Sequence, residues 1–306
     1  MLRTIPFGQT DLKVPAVAVG CMRINSLTAK EAEQLVMTAL DEGANFFFHA
    51  DIYGGGACEE VFAEAVHMNA TIRERMLIQS KCGIRQGMFD FSKEHIVKSV
   101  EGSLKRLRTD YLDALLLHRP DALVEPEEVA AAFDLLHRSG KVRHFGVSNQ
   151  NPMQIKLLQK TLTRPLVANQ LQLSITNATM ITAGLHVNME DASAVNRDGG
   201  VLDFCRLESI TVQPWSPFLY GFFEGVFLGS DKFPELNAKI DELAARYEVA
   251  NTTIALAWIL RHPAKMQPIV GTTNPERLRD CVRAADITLT REEWYSLLLA
   301  AGNILP

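Results

Sequence analysis

The 306-residue chain is poor in several features, and each shortage closes off a class of protein. Cysteine is scarce: Cys21, Cys58, Cys82, Cys205 and Cys281 are an odd set at scattered spacings with no CxxC pair. That usage argues against a disulfide framework and for a reducing, cytoplasmic setting. Long apolar runs are missing. Nowhere do 18 apolar residues follow one another, and Met1-Leu2-Arg3-Thr4-Ile5-Pro6-Phe7 contains no apolar signal region, so neither export nor a membrane span is expected. Excess positive charge is missing too. Lys and Arg number 31 against 36 Asp and Glu, a net charge of −5 without a basic block, which makes nucleic acid an unexpected partner. No HExxH pair and no carboxylate cluster at ligand spacing occurs, so no metal is expected. Gly54-Gly55-Gly56 lacks GxGxxG spacing and follows the second strand, not the first, which sets aside a Rossmann site.

What is present is a globular composition, 47% hydrophobic and 22% charged, ample for a sizeable core. Thr4 to Pro15 reads as a hairpin around the polar turn Gly8-Gln9-Thr10-Asp11. Short apolar runs then recur at Ala16–Val19, Asn45–His49, Met76–Lys81, Tyr111–His118, Val142–Val147, Leu166–Asn169, Ile210–Gln213 and Pro268–Val270. Amphipathic stretches separate them: Thr28 to Gly43, Ser92–Leu107, Pro126–Ser139, Pro152–Thr161, Phe233–Tyr247 and Asn274–Ala284. Thr28 with Glu31 three residues on has the spacing of a capping box. Eight strands in strict alternation with helices favour parallel pairing, which needs crossover helices. The fold class expected is α/β, a (β/α)₈ barrel with an N-terminal β-hairpin and an extra C-terminal helix, Arg291 to Leu299. No linker divides it, so residues 1–306 read as a single domain. Ala183 to Gly200 reads as a long loop between strands six and seven.

Chemistry in such a barrel gathers where strands end, at the C-terminal face. The successive strand ends offer Gly20-Cys21-Met22-Arg23, His49-Ala50-Asp51-Ile52-Tyr53, Lys81-Cys82-Gly83, His118-Arg119-Pro120, Ser148-Asn149, Asn169-Gln170, Trp215-Ser216-Pro217 and Gly271-Thr272-Thr273-Asn274. Taken singly, each has an ordinary reading. Tyr53 could be a half-buried loop tyrosine, His118 a satisfied core histidine, Trp215 a rim packer. Lys81 is less ordinary, because lysine is seldom buried without a partner.

Together, the tyrosine loop, the strand-end lysine and histidine, the Gly-Val-Ser-Asn run and the terminal Thr-Asn-Pro-Glu-Arg run are similar in order and spacing to the aldo-keto reductase superfamily. The His-Ala-Asp-Ile-Tyr-Gly-Gly form looks like a bacterial oxidoreductase subgroup. The resemblance covers nearly the whole chain. It implies an NADPH-dependent oxidoreductase reducing a small-molecule aldehyde or ketone to an alcohol, without metal or flavin. By position, Tyr53 would be the general acid, Lys81 the cation that lowers the phenol's pKa, and His118 the donor that orients the carbonyl. For the cofactor NADP(H), Ser148, Asn149 and Gln170 would bind the nicotinamide carboxamide, and Trp215 would stack on its ring. Ser216, Pro217, Phe218 and Leu219 would follow the pyrophosphate, and Gly20, Cys21, Met22 and Arg23 would border the nicotinamide. Thr272, Thr273 and Arg277 would hold the 2′-phosphate, with Gly271 before them and Asp280 reaching the adenine.

The chain departs from the pattern where many relatives have Lys at Gly271 and Asn at Cys281. It departs more seriously where the family has an aspartate paired with the lysine, since Phe48 stands there. A phenyl ring beside a buried lysine disfavours its charged form and weakens the tyrosine's activation. Two other classes stay open: a catalytically weak NADP(H)-binding barrel serving as a sensor or subunit, and an unrelated barrel enzyme using Lys81 as a Schiff base.

Overall fold

A computed structural model describes residues 2–305. Eight parallel strands form one sheet: β1 (Ala18–Gly20), β2 (Phe46–Phe48), β3 (Leu77–Cys82), β4 (Leu112–Leu117), β5 (Val142–Ser148), β6 (Leu166–Gln172), β7 (Thr211–Trp215) and β8 (Ile269–Val270). Sequence neighbours pair throughout, and β8 pairs back onto β1 with Ile269 opposite Ala18. The remaining seam, between β7 and β8, is bridged where the Gln267 N–H donates to the Val212 carbonyl at 3.0 Å. The result is the expected (β/α)₈ barrel.

Strand β2 shows why a run of three phenylalanines suits such a wall. A parallel strand buried on both faces needs apolar residues at consecutive positions. Phe46, Phe47 and Phe48 are all buried, and their rings alternate as a pleat requires. Phe47 packs outward on Phe62, with ring centroids 5.1 Å apart. Phe46 and Phe48 pack against each other on the other face, tilted by 38° with centroids 4.8 Å apart. Below them the barrel holds a polar layer. Gln79 donates to Gln213, Gln213 to Gln267, and Gln267 to the Pro15 carbonyl, at 3.1, 3.0 and 2.7 Å. Every side chain in this chain is fully buried, so its amides are satisfied only by one another and the backbone.

The expected hairpin pairs Thr4–Pro6 with Lys13–Pro15 and closes the N-terminal mouth. Phe7 is fully buried and meets Phe46 edge-on at 5.5 Å. Gly8 (φ +59°) lies so near Val167 that a Cβ would come within 2.6 Å of its Cα, so only glycine fits the turn.

Among the outer helices, α1 (Ala29–Asp41) has the capping box of Thr28 and Glu31. It is followed by α2 (Ala57–Ala65), α3 (Lys93–Leu107), α4 (Pro126–Arg138), α5 (Pro152–Gln159) and α6 (Val201–Leu207). Two helices, α7 (Pro234–Tyr247) and α8 (Asn251–Arg261), separate β7 from β8, so the alternation is not strict. After α9 (Pro275–Arg283) the chain ends in α10 (Arg291–Ala300). Trp258 of α8 and Trp294 of α10 stack at 4.9 Å, and each indole N–H donates to the other residue's carbonyl. The stretch Ala183 to Gly200 is not wholly a loop. A helix, Thr179–Leu185, runs into it, and a single 3₁₀ turn occupies Ala192–Ala194.

Candidate active site

The C-terminal ends of the strands open onto a cleft of about 970 Å³. Most of the residues singled out in the sequence meet there: Gly20, Met22, Arg23, Phe48, Tyr53, Lys81, His118, Ser148, Asn149, Gln170, Trp215 to Leu219, Gly271, Thr272, Arg277 and Asp280. Cys21 and Thr273 do not line it. Cys21 follows Gly20 and is buried.

Tyr53 reaches the cleft because the link from β2 to α2 is extremely tight. Gly54, Gly55 and Gly56 follow it at φ of 58°, 65° and 100°, a left-handed path that side chains with a Cβ rarely take. At Gly54 a Cβ would meet the Asn25 amide at 2.7 Å, and at Gly56 it would meet Arg106 at 2.9 Å. The triple glycine therefore serves chain geometry.

Lys81 is the penultimate residue of β3, with only 1% of its surface exposed. Its ammonium donates to the His49 carbonyl at 2.8 Å and lies 4.9 Å from the centre of the Tyr53 ring. Among the described residues no carboxylate oxygen comes within 4.0 Å of it. Phe48 lines the same cleft. Asp51 is nearby in sequence but turns to a different neighbourhood. Burial raises its carboxyl to about 6, the Ser99 hydroxyl opposes this, and the charges it feels are Glu59 and Arg106. Behind it Glu59 is fully buried and accepts from Ser80 at 2.7 Å and Arg106 at 2.8 Å.

His118 faces Tyr53 edge-on, with ring centroids 6.0 Å apart. Burial, aided by the positive charges of Lys81 and Arg119, holds its imidazole down at about 2. The ring is thus neutral at any working pH. Its Nδ1 is buried with no protein partner.

On the opposite wall a hydrogen-bonded relay fixes four polar groups. Trp215 donates to Asn149 at 3.2 Å, Asn149 to Ser148 at 2.8 Å, and Ser148 to the Gln170 carbonyl at 3.1 Å. The Gln170 amide nitrogen is left buried and unpartnered. Phe223 stacks on Trp215 at 5.7 Å, and Phe222 meets it edge-on. At the far end Arg23 donates to the Gly271 carbonyl. Asn274 caps α9 by accepting from the Arg277 N–H at 3.0 Å.

The sequence suggests an apolar wall at Phe218, Tyr220, Phe222 and Phe223, of which Phe218 and Phe223 line the cleft, but it gives no role to Ile52, Ile84, Arg119, Asn251, Thr252 and Glu276, which line it too. Arg119 was within reach, since it directly follows His118 at a strand end. Asn251 and Thr252 begin α8, and nothing in their local sequence marks them.

The aldo/keto reductase family profile matches residues 16–298. Oxidoreductase YdhF of Escherichia coli (strain K12) is 38% identical over 288 residues, which span 90% of this chain and 89% of that protein. A crystal structure of a thermostable aldo-keto reductase in complex with the inhibitor epalrestat superposes with a TM-score of 0.78 at 27% identity, covering 98% of this chain and 100% of that one. An aldo-keto reductase from Klebsiella pneumoniae, solved in complex with NADPH, shares the fold with a TM-score of 0.76 at 24% identity, covering 97% of this chain and 94% of that one.

Proposed function

Because the chain belongs to the aldo/keto reductase family, we propose that it is an NADPH-dependent oxidoreductase that reduces an aldehyde or ketone to an alcohol. The whole chain, residues 1–306, would act as one cytoplasmic barrel. The observation that carries this reading is the meeting of Tyr53, Lys81 and His118 at one cleft, opposite a wall of oriented amides. The residues present suit a nicotinamide. Gln170 keeps a buried amide nitrogen without a partner, which the carbonyl of a carboxamide would satisfy. Ser148 and Asn149 would sit beside it, and Trp215 would flank the ring. Ser216, Pro217, Phe218 and Leu219 would track the pyrophosphate. Gly20, Met22 and Arg23 would border the nicotinamide end. Thr272 and Arg277, with Gly271 before them, would receive the 2′-phosphate near the start of α9, and Asp280 the adenine. When bound, NADPH supplies a hydride for the carbonyl carbon.

The protein's own share is proton and charge control. Tyr53 gives the hydroxyl proton to the carbonyl oxygen as negative charge grows there. A free phenol is a weak acid with a pKa near 10, so a nearby cation is needed to stabilise the phenolate it leaves. Lys81, 4.9 Å from the ring centre, supplies that cation. His118 is neutral, so its ring N–H can donate to the carbonyl oxygen without adding a competing proton source. In this reading Phe48 occupies the place of the family's aspartate, and the ammonium of Lys81 is held by a backbone carbonyl alone. A weaker electrostatic grip on Lys81 lowers turnover and leaves cofactor binding intact. That same feature favours a second reading, an NADP(H)-binding barrel with negligible turnover, serving as a sensor or subunit.

One pair of measurements separates them. Titration with NADPH, followed by tryptophan fluorescence, should saturate in either case. Reduction of a panel of aldehydes, abolished by Tyr53→Phe with binding retained, establishes the reductase. Saturable binding with no turnover leaves the binding module. Absence of saturation at on the order of hundreds of micromolar NADPH overturns both.

A further inference from the structure

Arg119 is the one basic side chain of the cleft that the site described above does not use. It follows His118 at the end of β4 and lines the cleft beside Tyr53, Trp215 and Phe223. Its surroundings differ from those of Lys81 and Arg23, and unlike the exposed Arg277 it is half-buried. Lys81 donates to the His49 carbonyl and Arg23 to the Gly271 carbonyl. For the half-buried guanidinium of Arg119, no hydrogen-bond acceptor and no carboxylate within 4.0 Å occurs among the described residues. Half-burying a cation with five N–H donors and giving it no acceptor is unfavourable.

Packing does not account for it. The guanidinium carbon stands 5.8 Å from the Trp215 ring centre and 6.0 Å from that of Phe222, at the outer limit of a cation–π contact. Elsewhere in the same protein such contacts are far closer. Arg73 and Arg143 each lie 3.9 Å from the ring centre of Tyr111, and both also pair with Asp113. Those two arginines are structural. Arg119 is held open, over an aromatic wall, next to the phenol and imidazole.

We propose that Arg119 selects the substrate: the cleft takes a carbonyl compound whose apolar or aromatic body also carries a carboxylate, which pairs with the Arg119 guanidinium. The proposal rests on the reductase reading for the place of the carbonyl, between Tyr53 and His118. A guanidinium presents parallel N–H donors that match the two oxygens of a carboxylate, and the match strengthens where water is partly excluded. Phe222 and Phe223 would cover the body of the substrate, leaving the carboxylate at Arg119 and the carbonyl at Tyr53.

The test compares 4-carboxybenzaldehyde with its neutral methyl ester, methyl 4-formylbenzoate, as kcat/KM ratios in the wild type, Arg119→Leu and Arg119→Lys. The wild-type ratio should favour the acid by at least roughly tenfold, the size of one charge-assisted hydrogen-bond pair. It should fall to about one or below in Arg119→Leu and be partly kept in Arg119→Lys, whose point charge cannot make the bidentate pair. Binding provides a readout independent of turnover: benzoate, but not methyl benzoate, should quench tryptophan fluorescence saturably, and Arg119→Leu should abolish the effect. A wild-type ratio at or below one, or a ratio that Arg119→Leu leaves in place, overturns the proposal. So does equal quenching by benzoate and its methyl ester. If neither aldehyde is reduced while benzoate still binds through Arg119, the anion site stands and the reductase reading fails. Should Arg119→Leu not fold, the ratio measured in Arg119→Lys and Arg119→Gln decides.

Discussion

Lys81 and His49 sit on adjacent strand ends, and the lysine ammonium donates to the histidine's main-chain carbonyl at 2.8 Å. A carbonyl dipole fixes the position of the ammonium but supplies no net negative charge. The His49 side chain does nothing further for it. The ring turns away from the cleft, packs edge-on against Phe62 at 4.6 Å, and leaves both nitrogens buried without partners. Two properties of the protein follow from this arrangement, one in its stability and one in its catalysis.

Stability should fall steeply in mild acid. Burial, with Lys81 adding, holds His49 down at about 3, and burial holds His262 at about 4. His118 is held at about 2. In the unfolded chain each has the ordinary value of 6.5. As pH drops below about 6.5, the unfolded chain therefore takes up three protons that the folded protein refuses, and stability is lost as pH falls. Asp51 opposes this, because its folded value of about 6 lies above the ordinary 3.8. For these four groups the balance between about pH 6 and pH 4 is roughly two protons, or about 3 kcal/mol per pH unit. Urea midpoints at pH 7, 6 and 5 should drop in that order. Equal midpoints would mean that these imidazoles are not buried in neutral form.

Replacing the His49 ring should stabilise the protein. Each buried polar atom left without a partner costs about 1–3 kcal/mol. His49→Leu removes two of them, fills a similar volume against Phe62 and keeps the backbone carbonyl that holds Lys81. An upward shift of a few degrees in Tm is expected, at about 2–4 °C per kcal/mol for a chain of this order of size. The variant should also lose about one proton's worth of the acid sensitivity. A lower Tm would show that the ring nitrogens are satisfied in a way the packing does not reveal.

The cofactor's phosphate end provides a separate check. Arg277 is exposed at the first turn of α9, where only Asn274 caps the helix, and Gly271 contributes no charge. In the proposed complex Arg277→Ala should weaken NADPH by about tenfold, one charge-assisted hydrogen bond's worth. NADH should be almost unaffected. Equal losses for both nucleotides in parallel titrations would make Arg277 structural.

The strands and the site were legible to very different degrees, for physical reasons. Strands buried on both faces have continuous apolar runs, as at Phe46–Phe48 and Leu115-Leu116-Leu117, which stand out without any partner. Thr28 announced α1 because a capping box is a local interaction. The helix Thr179–Leu185 gave no such sign: its N-cap is Ala178, with no side-chain cap. The importance of Arg119 depends on what is absent around it, and no local pattern records an absence.

The last expectation concerns Phe48. Phe48→Asp should place a carboxylate where the proposed reading needs one, on β2 facing the cleft that Lys81 also lines. A carboxylate within about 4 Å favours the ammonium of Lys81, and through it the phenolate of Tyr53. It also fixes the lysine more firmly, and misplacing a catalytic group by about 1 Å can cost on the order of a hundredfold. Reduction of a generic aldehyde should therefore rise by at least roughly tenfold, with NADPH affinity little changed. The gain has a cost. Phe48 is 1% exposed and packs tilted against Phe46 at 4.8 Å, so its loss removes core packing worth about 3–5 kcal/mol, which a buried carboxylate paired with Lys81 offsets only in part. A lower Tm with a higher kcat is the expected signature. Adding Tyr53→Phe should remove the kcat gain and leave Tm near that of Phe48→Asp, since the carboxylate helps only through the acid it tunes. If Phe48→Asp folds and binds NADPH but reduces no aldehyde or ketone across a broad panel, the reductase reading fails and the NADP(H)-binding barrel takes its place.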